Sequence, residues 1–117
     1  MNFSFKELEE INLFQNSLKE LKLFNHFEKL TTLNLSANKI KPQSLLDLPS
    51  SIKSLNISKN QIRSMTFNKN NTQIPILKTL INLEVIDVSF NNLEKIEEKC
   101  FDCNTSLQVK NRKIRNN

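Results

Sequence analysis

Glycine is absent from this chain of 117 residues, as are tryptophan and tyrosine. There is one alanine (Ala37) and one histidine (His26). Without glycine there can be no glycine-rich phosphate loop, because such loops need backbone that only glycine adopts freely. A lone histidine excludes a multi-histidine metal centre and leaves little room for imidazole acid–base chemistry. No apolar run approaches the roughly 20 residues needed to span a bilayer. The opening MNFSFKELEE lacks a basic segment followed by an apolar one, so no secretory signal is read there. Two cysteines, Cys100 and Cys103, cannot make a disulfide framework, and their scarcity favours a reducing, cytoplasmic setting.

Leucine (17), isoleucine (11), lysine (14) and asparagine (18) are abundant. Hydrophobic residues make up 38% and charged residues 25%, which is a globular composition sized for one domain over 1–117. The asparagine, lysine and isoleucine excess beside scarce glycine and alanine fits the codon bias of an AT-rich genome. The net charge of +5 permits attraction to acidic surfaces without naming a partner.

The pattern L-x-x-L-x-L-x-x-N-x-L, with Leu, Ile and Val exchangeable, recurs along the chain. It reads LEEINLFQNSL from Leu8, LTTLNLSANKI from Leu30, IKSLNISKNQI from Ile52 and LEVIDVSFNNL from Leu83, with every specified position filled. A degenerate fifth copy, NTSLQVKNRKI, is expected near Asn104, keeping Leu107, Val109 and Ile114. The central L-x-L alternation predicts a short strand with one buried face. Leu33 and Leu35 then point inward around an outward Asn34, Leu55 and Ile57 around Asn56, and Ile86 and Val88 around Asp87. Leu21, Phe24 and Phe27, at spacing three, suit a 3₁₀ turn on the return path. Pro42 and Pro49 argue against a long helix in the second return. The third coil carries nine extra residues, of which 68–75 reads as an exposed loop and ILKTLIN (76–82) as a short helix.

These repeats resemble the leucine-rich repeat family over about residues 5 to 114. The regular 22-residue spacing is similar to the type in the regulatory subunit of protein phosphatase 1. LPSSIKSLNISKNQI and LEVIDVSFNNLEKI, followed by KCFDCNTSLQV, are closer to Toll-like receptor ectodomains. The resemblance implies an α/β leucine-rich-repeat solenoid, with short parallel strands on a concave face and an irregular, 3₁₀ or short-helical convex side. It also implies an asparagine ladder at Asn16, Asn38, Asn60 and Asn91, whose amides bend the chain and satisfy turn groups of adjacent coils.

Such proteins usually bind through the concave face, here Glu10, Asn12, Phe14, Thr32, Asn34, Ser54, Asn56, Lys59, Val85, Asp87 and Phe90. Glu9, Gln15, Thr31, Ser36, Ala37, Lys53, Ser58, Glu84 and Ser89 complete its expected exposed surface. Phe14 and Phe90 are candidate apolar anchors, although Phe90 also suits packing at the rim. The implied function is non-enzymatic binding of a protein partner. The alternatives are part of a surface recognition receptor, which would be extracellular, or a targeting subunit of a phosphatase or ubiquitin ligase. No cofactor or metal is expected: Cys100-x-x-Cys103 has no second pair to complete a site. The basic tail at 110–117 lacks interleaved aromatics, so it reads as a solvated end and no nucleic-acid partner is expected. Phe3 and Phe5 are expected to cover the first coil. The last coil has no recognisable cap, which predicts self-association through that edge or a chain that is a piece of a longer protein.

Overall fold

The computed structural model of the chain describes residues 6–115, together with every side chain between them except those of Glu98 and Val109. Asn2, Phe3 and Phe5 lie outside the described residues.

Where apolar residues alternate, the backbone forms strands of two to four residues. They are β1 (Glu10–Asn12), β2 (Thr32–Asn34), β3 (Ser54–Asn56), β4 (Thr66–Lys69), β5 (Thr72–Pro75), β6 (Val85–Asp87) and β7 (Arg112–Lys113). Five of them form one parallel sheet in the order β1-β2-β3-β6-β7. Equivalent repeat positions face each other: Ile11 pairs with Leu33, Leu33 with Leu55, and Leu55 with Ile86. A one-residue slip would turn each inward Leu or Ile to solvent, so burial fixes the register.

The inward side chains build a continuous core. Leu33, Leu35, Leu55, Ile57, Ile86 and Val88 from the sheet side meet Leu21, Leu30, Leu45, Ile52, Leu80 and Leu83 from the return side, all essentially buried. Each stabilises the fold by about 1.5–3 kcal/mol. Ile11, in the first coil, is only half-buried.

The returns are tight. Lys22–His26, Pro42–Asp47, Glu98–Phe101 and Val109–Asn111 are 3₁₀ segments, and no α-helix occurs among the described residues. In the first return, Phe24 N–H donates to Leu21 O and Phe27 N–H to Phe24 O, both at 3.0 Å. Three residues per turn therefore stack the Phe24 and Phe27 rings 5.5 Å apart. Pro42 opens the second return, where its missing N–H costs no helical bond.

Three expectations are corrected. First, residues 68–75 are no loose loop: β4 and β5 form an antiparallel hairpin, with Phe67 opposite Ile74. Asn70 and Asn71 both have positive φ (51° and 63°), the geometry of a two-residue turn whose twist matches the strands. Second, ILKTLIN is not a helix. Lys78 N–H donates to Pro75 O, Leu80 to Leu77 O and Leu83 to Leu80 O, a run of separate turns that buries Ile76, Leu77, Leu80 and Leu83. Third, the fifth copy is displaced by five residues. Ile86 pairs with Arg112 and Asp87 with Lys113, so the last strand is not Leu107–Val109. Leu107 is instead buried on the return side. Arg112 occupies the place of the inward leucine, with its guanidinium carbon 4.4 Å from the centre of the Phe101 ring. Part of the expected solvated tail is thus a strand of the sheet.

The bend after each strand falls one residue earlier than expected. Gln15, Ala37, Lys59 and Phe90, each just before the repeat asparagine, have φ between 56° and 61°. These four left-handed residues are achieved without glycine, at about 1–2 kcal/mol each.

Candidate functional site

Parallel pairing lines up the outward residues of the sheet in two rows. Glu10, Thr32, Ser54 and Val85 make one, and Asn12, Asn34, Asn56, Asp87 and Lys113 make the other. Neighbours within a row are about 4.8 Å apart.

In the second row each side-chain oxygen is held by backbone two residues on. Asn12 Oδ1 accepts from Phe14 N–H at 3.1 Å, Asn34 Oδ1 from Ser36 N–H and Asn56 Oδ1 from Ser58 N–H, both at 3.0 Å. Asp87 Oδ1 accepts from the N–H and hydroxyl of Ser89. Fixing the oxygen fixes the amide, so the –NH₂ groups of Asn12, Asn34 and Asn56 are the donors left over. They meet no acceptor among the described residues. The same bonds explain a correction: Ser36, Ser58 and Ser89 are buried at 5%, 7% and 7% exposure, not displayed. They close the strand ends, and the hydroxyls of Ser36 and Ser89 donate to the Asn34 and Asp87 side chains.

The left-handed residues form the rim of this face. Phe14 is 50% exposed, and Phe90 and Val85 are 40% exposed. The Phe90 ring lies between Lys59 Nζ, 5.8 Å from its centre, and the Arg115 guanidinium carbon at 5.5 Å. Cations over an aromatic face are held by its quadrupole. Asp87, Ser89, Phe90, Lys113, Ile114 and Arg115 enclose a concavity of about 350 Å³. Lys113 and Arg115 join this face because the last strand is Arg112–Lys113 and not Leu107–Val109. The usable signal is V-x-x-R-x-I-x-x-N over 109–117, which keeps the first, sixth and ninth repeat positions.

Behind the face runs the asparagine ladder. Asn38 Oδ1 accepts from Asn16 N–H (2.9 Å) and Leu18 N–H (2.8 Å) of the coil before it, while Nδ2 donates to Leu13 O, Leu35 O and Ser36 O. Asn60 Oδ1 accepts from Ile40 N–H, and its Nδ2 donates to Leu35 O, Ile57 O and Ser58 O. Asn91 Oδ1 accepts from Asn60 N–H and Ile62 N–H. Each amide therefore serves its own coil and the preceding one. Asn16 differs: it is exposed, and among the described residues its side chain donates only to Phe14 O of its own coil. Its side chain bridges no two coils among the described residues.

A second concavity of about 380 Å³ lies between the hairpin and the fourth return, among Met65, Gln73, Pro75, Lys95, Lys99 and Cys100. Cys100 is buried and Cys103 exposed, and the two are not joined in a disulfide. Among the described residues no group of three or more His, Cys, Asp or Glu is placed to hold a metal ion. No described helix is long and apolar enough to cross a membrane.

Charge links coils at the surface. Lys41 Nζ donates to Glu20 Oε1 and Lys29 Nζ to Glu7 Oε2, both at 2.9 Å. The hydrogen bond from Lys41, and then its charge, hold the Glu20 carboxyl below the usual carboxylate range. The bond to Glu7 raises Lys29 above the usual lysine value.

Models of known families agree with this architecture. One described as Leucine Rich repeat matches residues 28–48, covering β2 and the start of its return. Another described as Leucine Rich Repeat matches residues 82–104, covering β6 and its return. Comparison with curated proteins finds no match. Repeats of this kind generally mediate protein–protein interaction and are generally not enzymes. With two matched segments, one strand per coil in a parallel sheet, and buried asparagines bridging successive coils, the chain belongs to the leucine-rich repeat family.

Proposed function

We propose that the chain is a non-enzymatic module that binds a protein partner through its concave face and the adjoining loops, in the cytoplasm. The observation that carries this reading is the outward row of amides at Asn12, Asn34 and Asn56. Their oxygens are held by the backbone, and their donors are unused among the described residues. Preorganised donors on a rigid sheet lose little entropy on binding. The exposed Phe14, Val85 and Phe90 add apolar area beside them.

Size sets a requirement. Five strands span about 19 Å, and a strip about 10 Å wide offers a few hundred Å², below the roughly 800 Å² per partner of a standard interface. The partner therefore also contacts rim residues such as Lys59 and Phe14, or loops beyond the sheet. The scarcity of cysteine, two in the whole chain, supports a reducing compartment. Asn34-Leu35-Ser36 and Asn56-Ile57-Ser58 match the N-glycosylation acceptor pattern and fall in the amide row, where a glycan would cover the face.

The test is affinity purification from the native cells followed by mass spectrometry, with Asn56→Arg/Val85→Arg as the concave variant and Leu23→Arg as the convex control; Leu23 is 74% exposed. Partners lost with the concave variant and kept with the control support the reading. Partners kept by the concave variant and lost with the control refute it.

A further inference from the structure

Resting on the concave-face reading, we infer that the partner segment is an acidic peptide, seated across β2, β3, β6 and β7. The corrected register of the last coil makes this visible. It brings Lys113 into the amide row beside Asp87 and places Arg115 against Phe90. Two cations, Lys113 and Arg115, line the 350 Å³ concavity against the single carboxylate of Asp87, and a third, Lys59, lies 5.8 Å from the centre of the Phe90 ring that borders it. One oxygen of that carboxylate is already engaged by Ser89. The opposite end of the face carries Glu9 and Glu10 and no cation of its own. The face is therefore polar along its length, acidic at the first coil and basic at the last. A segment of complementary charge docks its acidic residues at the basic end, which fixes its direction.

The donors match the same ligand. Asn34, Asn56 and Lys113 sit in one row, and three strand spacings cover about 14 Å, the reach of about five extended residues. Peptide carbonyls and side-chain carboxylates are acceptors, which is what such a row requires. Phe90 offers the peptide a half-exposed apolar surface between the two charged contacts. A nucleic acid fits less well. Asp87 interrupts the cations and repels a continuous phosphate backbone, whereas a peptide can space its acids around it. Phe90 is the one aromatic residue lining the concavity, so successive bases have no stacking platform.

The experiment uses the full chain, ¹⁵N-labelled, and three fluorescein-labelled probes: (Ser-Glu)₄, (Ser-Lys)₄ and an eight-residue oligouridylate. Anisotropy should show saturable binding of (Ser-Glu)₄ that weakens with salt, and no binding of (Ser-Lys)₄. Amide shifts should cluster at 58–60, 89–91 and 112–115. Lys59→Glu/Arg115→Glu should weaken binding at least about tenfold. The milder Lys59→Gln/Lys113→Gln should weaken it about threefold, with thermal melts of both variants confirming that they fold. The inference is overturned if (Ser-Glu)₄ does not bind, if (Ser-Lys)₄ binds equally, if the oligouridylate displaces (Ser-Glu)₄, or if charge reversal changes nothing. Failure here, while Asn56→Arg/Val85→Arg still loses the native partners, removes the acidic class and leaves the concave face. Shifts confined to the convex side or the hairpin remove both.

Discussion

Replacing each repeat asparagine by leucine, a close isostere without hydrogen-bonding capacity, should give four very different losses of stability. The count that matters is how many buried groups are left with no partner, not how many bonds disappear. At Asn60 four side-chain bonds are lost. Yet Leu35 O keeps Asn38 Nδ2, Ile57 O keeps Asn91 Nδ2 and Ser58 O keeps Ala37 N–H. Only Ile40 N–H loses its acceptor, inside a core where Ile40 is 3% exposed. One orphaned buried donor costs about 1–3 kcal/mol, and the weakened carbonyls add somewhat, for a total near 3 kcal/mol. Asn91→Leu strands three buried groups, Asn60 N–H, Ile62 N–H and Val88 O, and should cost about 4 kcal/mol. Asn38→Leu also strands three, Asn16 N–H, Leu18 N–H and Leu13 O, but Asn16 is exposed and Leu13 and Leu18 are half-buried, so water replaces much of the loss and about 2 kcal/mol is expected. Asn16→Leu should cost under about 0.5 kcal/mol, as a surface change. For a domain of this size 1 kcal/mol shifts Tm by about 4 °C, so Asn91→Leu should melt about 16 °C below the parent. Urea unfolding followed by circular dichroism reads the series. Equal losses at all four positions, or Asn16→Leu as damaging as Asn91→Leu, would refute the assignment of clients to each amide.

Gln61, exposed at φ 62°, tests the cost of left-handed backbone away from the binding face. Gln61→Gly should be neutral or stabilise by up to about 1 kcal/mol, and Gln61→Val should destabilise by about 1–2 kcal/mol in the same unfolding assay. For pH, the Glu20–Lys41 pair contributes above the ordinary carboxylate value near 4.5 and is lost as pH falls through the lowered folded value. The Lys29–Glu7 pair contributes below 10.5 and is lost as pH rises through the raised value. Side-chain NMR titration should show Glu20 titrating low and Lys29 high, with both returning toward ordinary values in 1 M salt, about where screening reaches 3 Å. A thiol reagent should label exposed Cys103 at once and reach Cys100, 2% exposed, only at the rate of opening; equal rates would contradict that burial.

Four strands were legible because strict alternation and the repeat spacing act together. Leu33-x-Leu35 and its equivalents have no competing helical reading, and their register follows from burial. The fifth strand was hidden by its own substitution. Arg112 stands where the pattern requires leucine, and Leu107-x-Val109 offered a better local match, although pairing with Ile86 depends on the stack and not on that match. The hairpin was hidden because Asn70-Asn71 carries the left-handed turn that glycine usually signals. At the binding face, the outward positions followed from alternation, which placed Asn34, Asn56 and Asp87. The burial of Ser36, Ser58 and Ser89 did not, because a small hydroxyl next to an exposed position looks solvated until its bonds to the row behind it are known. The cations Lys113 and Arg115 were displaced together with the fifth strand.

The ladder has a direction, and that direction makes the two ends of the stack unequal. Every bridging asparagine completes the turn of the coil before it, so a coil that opens at the first end withdraws no side-chain acceptor from its neighbour. Opening of the fourth coil, by contrast, takes Asn91 Oδ1 from Asn60 N–H and Ile62 N–H and loosens the third coil in turn. Loss of order therefore passes more readily from the fourth coil toward the first than the reverse, and ligand held on the fourth coil at Asp87 and Phe90 would clamp the coil from which unravelling spreads.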